Sequence, residues 1–277
     1  MAIEFWIEQG CPVKDHLTVP AFKEMLKQRL IAQGLLEHDL QQGMSRKQAE
    51  DQSFKWQIIG PDGVRRAGDI RIGAILDETR ILDVLRDHCT GCPANLAGSY
   101  GCYNLVNYPI SARAELWLAE VARKAGERTD TGNIPLRVIF DRRLRGEKFS
   151  RMRHEMGRRA FELPAAPDVR FDSGPFKRRT VTTDQVLDVL FLTRELSGSF
   201  LEDLSLFSGG LEITDREPRE GSFQFASAAV DANEKKVWYV FNLRDGLDDD
   251  RSTRQLKGFF RGAFRAYQLE RNLTIEV

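Results

Sequence analysis

The stretch RSTRQLKGFFRGAFRAYQLERNLTIEV, residues 251–277, decides the fold class. Leu256, Phe259, Phe260, Ala263, Phe264 and Tyr267 recur at the three- and four-residue steps that place side chains on one face of an α-helix. Arg254, Lys257, Arg261 and Arg265 fall beside them, so an aromatic face, read as core, is bordered by a basic one. The helix then gives way to a short strand near Thr274 to Val277. At the other end, Ile3 to Glu8 alternates apolar residues with acids, as a half-buried strand does, and Gly10-Cys11-Pro12 closes it. Strands at both ends with helices between them predict an α+β fold.

The same signals repeat between the ends. Thr18 caps a helix with Pro20 in its first turn, Phe22, Leu26 and Leu30 on its apolar side and Gly34 as its stop. The polar stretch from Gln41 to Gln52 reads as an exposed connection. Phe54, Trp56 and Ile58, then Gly60-Pro61-Asp62-Gly63, then Ile70 and Ile72 predict a β-hairpin. A short helix spans Asp77 to Arg86, and Ser111 opens another through Glu115, Leu118 and Ala122. Thr182 with Gln185, and Ser199 with Glu202, fit the reciprocal box that starts a helix. Val237-Trp238-Tyr239-Val240-Phe241 reads as a buried strand. Prolines and a glycine between Leu163 and Pro175 mark a loop, which divides the chain into portions 1–160 and 161–277, closely packed or forming one unit.

The strongest chemical signal is His88-Cys89-Thr90-Gly91-Cys92-Pro93, followed by Gly101-Cys102. Two thiolates separated by two residues grip one ion from a tight turn, and Gly91 and Pro93 favour a turn over a continuing helix. A structural zinc site takes four ligands. Cys89, Cys92 and Cys102 supply three, and Cys11, in a second Cys-Pro turn, is the preferred fourth over His88, whose side chain adjoins Cys89, and over His16. An iron–sulfur cluster would use the same four cysteines. The bland alternative is a set of buried thiols, because free cysteine packs as a small hydrophobe.

Lys and Arg number 41 and so do Asp and Glu, so no global field draws the chain to nucleic acid or membrane. Locally, Arg142 to Arg179 holds 12 basic residues against five acids. Arg151, Arg153, Arg158 and Arg159 are its candidate anion or nucleic-acid contacts, with Phe149 and Phe176 as stacking faces. The competing reading is a solvated face. His154-Glu155 is the one place where an acid–base group sits among these arginines.

No run of about 18 apolar residues and no basic, apolar leader is visible, which predicts a cytoplasmic chain outside the membrane. Nor does the sequence carry a phosphate-binding glycine loop, a nucleophile elbow or a His-Glu-x-x-His pair. The expectation is a zinc-stapled interaction or assembly component with a protein partner and no evident catalytic residue. The alternatives are a nucleic-acid-binding or nucleic-acid-processing protein, and an iron–sulfur or thiol redox protein.

Overall fold

In a computed structural model the fold is α+β, described for residues 2–59, 65–96, 98–127, 139, 145–172, 178–191, 195–230 and 234–276. Along the chain, β1 (Ala2–Ile7) is followed by α1 (Pro12–His16), α2 (Val19–Gln41), α3 (Arg46–Asp51), β2 (Ser53–Ile59), β3 (Arg65–Arg71), α4 (Ile72–Glu78) and α5 (Ile81–Leu85). Next come β4 (Tyr103–Asn107), α6 (Ala112–Glu127), α7 (Glu147–Met156), β5 (Asp168–Asp172), β6 (Arg178–Thr182), α8 (Thr183–Leu190), β7 (Glu195–Leu196) and α9 (Ser199–Ser208). The chain finishes with β8 (Leu211–Thr214), β9 (Phe225–Val230), β10 (Lys236–Phe241), α10 (Arg251–Gln268) and β11 (Leu273–Glu276). These elements divide into two compact units: Met1–Gln9 with Gly101–Val277, and Gly10–Tyr100. The larger unit is therefore assembled from both ends of the chain, and the Leu163–Pro175 segment, read as a boundary loop, contributes β5 to it.

In the larger unit, a sheet of order β4-β1-β11-β7 has one face buried by Ile3, Phe5, Ile7, Leu273 and Ile275. Against that face lies α10, whose Leu256, Phe259, Phe260, Ala263 and Phe264 are fully buried. Asp250 starts it by accepting a hydrogen bond from the Thr253 N–H at 2.8 Å. Phe5 meets Phe259 edge-on at 5.2 Å, and Phe264 stacks on Phe241 of a second sheet, β8-β10-β9, at 4.4 Å. The helix thus serves two sheets from one stripe, and each phenyl ring so buried contributes roughly 1.5–3 kcal/mol. Trp117 of α6 and Phe207 of α9 close on Phe260. In β10, read as buried, only Phe241 is wholly so, because its other residues face less-covered surface.

In the Gly10–Tyr100 unit, Ala32 and Leu36 of α2 pack with Ala49, Ile72 and Ile75. The expected hairpin is present as β2 and β3, with Phe54 opposite Ile70. Its turn, Gly60 to Gly63, lies outside the described residues. Gly34 does not stop α2, which continues to Gln41 because Leu36 still finds the core, while Gly34 faces open space. Leu30, assigned to the apolar side, is 48% exposed. The segment read as an exposed connection contains α3, started by a reciprocal box between Ser45 and Gln48. The box predicted at Thr182 and Gln185 forms. The one at Ser199 and Glu202 does not, because Gly198, at φ +54°, caps α9 and moves Ser199 inside the helix.

Candidate functional site

The cysteine turn is built by the end of one helix and the start of an irregular loop. After α5 the chain tightens into a 3₁₀ turn, Arg86–Cys89. Gly91, at φ +75°, then takes the left-handed conformation that favours glycine. The Cys92 N–H bonds the Cys89 carbonyl at 3.2 Å, and the Asn95 N–H bonds the Cys92 carbonyl at 3.0 Å. Cys89 is buried, and its sulfur accepts the Tyr100 N–H at 3.4 Å. Burial pushes the Cys89 thiol up from its ordinary value against that hydrogen bond, and the neighbouring Cys92 and Cys11 thiols push it up further. Cys11 thus lies within electrostatic reach of Cys89, although it is remote in sequence. Cys11 stands at the N-cap of α1, where its side chain makes no cap hydrogen bond.

Cys102 belongs to the other unit, just before β4, where its carbonyl accepts the Ile7 N–H at 3.0 Å. The rings of His16 and His88 stack with centroids 6.5 Å apart. None of the four cysteines is in a disulfide. Among the described residues no group of three or more His, Cys, Asp or Glu side chains is arranged to hold a metal ion.

The arginines of the basic region have separate fates. Arg151, Arg158 and Arg159 are exposed on α7 and the 3₁₀ turn after it. Arg153 points inward, and all five of its guanidinium N–H groups are taken. Nη1 donates to Glu115 Oε1 at 3.0 Å and to the Leu163 carbonyl at 2.9 Å. Nη2 donates to Glu115 Oε2 and Asp184 Oδ1, both at 2.6 Å, and Nε to Asp184 Oδ2 at 3.4 Å. The guanidinium also lies over the Phe161 ring at 4.0 Å. Arg153 thus has no donor left for a phosphate, and its role is to join α6, α7 and α8. Burial raises the Glu115 carboxyl above its ordinary value against the pull of Arg153 and Thr183, and the negative charge of Asp184 adds to the rise.

His154, exposed, lines two depressions of about 420 and 320 Å³ together with Arg153. Arg145 borders the first and Arg158 the second. Of the basic face predicted on the last helix, Lys257 is buried, its Nζ 2.5 Å from Asp249 and 3.1 Å from the Arg244 carbonyl. Phe149 is buried among Phe161 and Phe191 and offers no stacking face, while Phe176 lies outside the described residues. Glu115 and Asp184 are the residues that charge counting along the chain overlooked. For Glu115 the signal was an acid on the same helical face as Leu118 and Ala122, a position that needs a buried partner.

Among the described residues no helix is long and apolar enough to cross a membrane. Comparison of the chain with protein families, with curated proteins and with solved structures finds no match.

Proposed function

We propose that the chain is an interaction or assembly component whose Gly10–Tyr100 unit is stapled by zinc bound to cysteine thiolates. The observation that carries this reading is the turn itself, in which the Cys92 N–H bonds the Cys89 carbonyl at 3.2 Å across a left-handed Gly91, with Cys11 near enough to act on the Cys89 thiol. The Tyr100 N–H on the Cys89 sulfur supports it, since such a donor stabilises thiolate over thiol. Binding would deprotonate these thiols, draw the three sulfurs together and turn metal-binding free energy into folding free energy. Within this unit His16 and His88, whose rings stack 6.5 Å apart, compete for the fourth position. The interaction role is supported by apolar side chains that this unit leaves in solvent, Leu30, Ile31, Leu40, Met44, Ile81 and Val84.

Elemental analysis of the purified chain tests the reading, with about one zinc per chain expected. Metal-free protein with an unchanged melting temperature would sink it. Brown, iron-containing protein would move the same cysteines to an iron–sulfur cluster.

A second reading, nucleic-acid binding, is favoured by one observation: Arg151, Arg158 and Arg159 remain exposed near the depressions at His154. A labelled single-stranded oligonucleotide, titrated at several salt concentrations, should bind native protein more tightly than the Arg151→Gln, Arg158→Gln, Arg159→Gln variant, with a shallower salt dependence in the variant. Equal binding by both would reduce this face to a solvated one.

A further inference from the structure

Among the described residues the sheet of the larger unit ends at β4, which pairs there with β1 alone. The Ile7 N–H bonds the Cys102 carbonyl, and the register sets Phe5 opposite Asn104 and Ile3 opposite Val106. Bonded pairs alternate along an antiparallel ladder, so Asn104 and Val106 bond inward to β1 while the main-chain groups of Leu105 and Asn107 point away from it. The bond from the Asn107 N–H to the Gln255 side chain at 3.0 Å agrees with this. The N–H and C=O of Leu105 have no partner among the described residues.

Beside this edge lies a groove of about 430 Å³, lined by Asn104 and Leu105 on one side and by Arg251, Arg254, Gln255, Gly258 and Arg261 of α10 on the other. Arg261 is braced toward it by Asp245 at 3.0 Å and the Leu243 carbonyl at 3.3 Å. Arg251 and Arg254 are exposed. Arg251 stands in the first turn of α10, where the helix dipole disfavours a cation, so the fold itself gains nothing from its charge. Gly258 keeps the floor low, since a Cβ there would meet only the tip of Arg261 at 3.8 Å.

We infer that this groove takes an extended acidic segment of a partner protein, added as a strand along β4. At Leu105 the sheet edge offers an outward N–H and C=O, which a polypeptide backbone matches and a phosphate backbone does not, because the outward carbonyl repels it. The arginines then select the side chains, with acids at alternate positions of the added strand facing α10. The inference rests on the reading of the chain as an interaction component and is independent of the metal.

The test uses the full chain and a fluorescein-labelled decapeptide of alternating glutamate and valine, followed by anisotropy at low salt. Saturable binding is expected, about fivefold or more weaker in the Arg251→Gln, Arg254→Gln variant. Binding should be abolished when every second peptide nitrogen is methylated in one of the two frames, because methylation removes the ladder donors. No binding by native protein, equal binding of both methylated peptides, or displacement by an oligothymidylate of equal charge would overturn the inference. Zinc is measured on the same preparations, so loss of peptide binding with zinc present separates this failure from failure of the staple.

Discussion

Nη2 of Arg153 lies 2.6 Å from Oε2 of Glu115, across 38 positions of sequence, with side chains that are 6% and 0% exposed. Asp184 completes the group at the same distance. A buried ion pair costs desolvation, but removal of one partner strands the other, so the two kinds of substitution are expected to differ sharply.

Arg153→Met should destabilise the protein by about 3–5 kcal/mol, because Glu115 and Asp184 are left buried without a cation. Arg153→Met combined with Glu115→Leu and Asp184→Asn should recover part of this loss. Urea denaturation of the single and combined variants provides the measurement, and equal destabilisation of both would show that packing outweighs charge here.

The pH dependence follows from the raised carboxyl of Glu115. The folded state keeps the proton above the ordinary value of 4.5, so between that value and the raised one it binds more protons than the unfolded chain. Its stability contribution is therefore fully present below 4.5 and is lost as pH rises through the folded value. Denaturation midpoints across this window, compared with those of Glu115→Gln, should show a slope in the native protein that the variant lacks.

Gly146→Ala is expected to be costly for two reasons. The residue sits at φ +75°, and a Cβ would come within 2.9 Å of the Gln185 nitrogen and 3.0 Å of the Asp184 carbonyl carbon. The left-handed conformation alone costs about 1–2 kcal/mol, and the crowding displaces the first turn of α8, which holds Asp184 against Arg153. Gly91→Ala, also left-handed but with open space around it, should cost only the conformational part. Thermal melts of the two variants make the comparison.

For the cysteines, zinc uptake by stripped protein should strengthen by about tenfold or more per unit of rising pH near neutrality, because each thiol must lose its proton to bind. Cys89→Ser should abolish uptake, and Cys11→Ser should weaken it if the N-terminal turn closes the site. Competition with a chromophoric chelator measures both. Full retention in Cys11→Ser would assign closure elsewhere.

What the sequence determined by itself was local. The periods of residues 251–268 and 2–7 specify a helix and a strand because each apolar stripe has one buried solution, and the caps at Thr18, Thr182 and Asp250 form because an adjacent side chain satisfies each exposed N–H. The α+β class followed from these elements. Tertiary structure decided which signals were kept. Gly34 is crossed because packing beyond it outweighs a glycine's cost of about 1 kcal/mol, and Gly198 displaces Ser199 as a cap. It also decided the fate of charge. Arg151 and Arg153 are alike in a count along the chain, yet one faces solvent and the other is enclosed by two carboxylates. The reason is that sequence fixes charge and local periodicity, whereas the partner of a buried charge is set by which remote segments pack together, and a gain made across such distances leaves no local pattern.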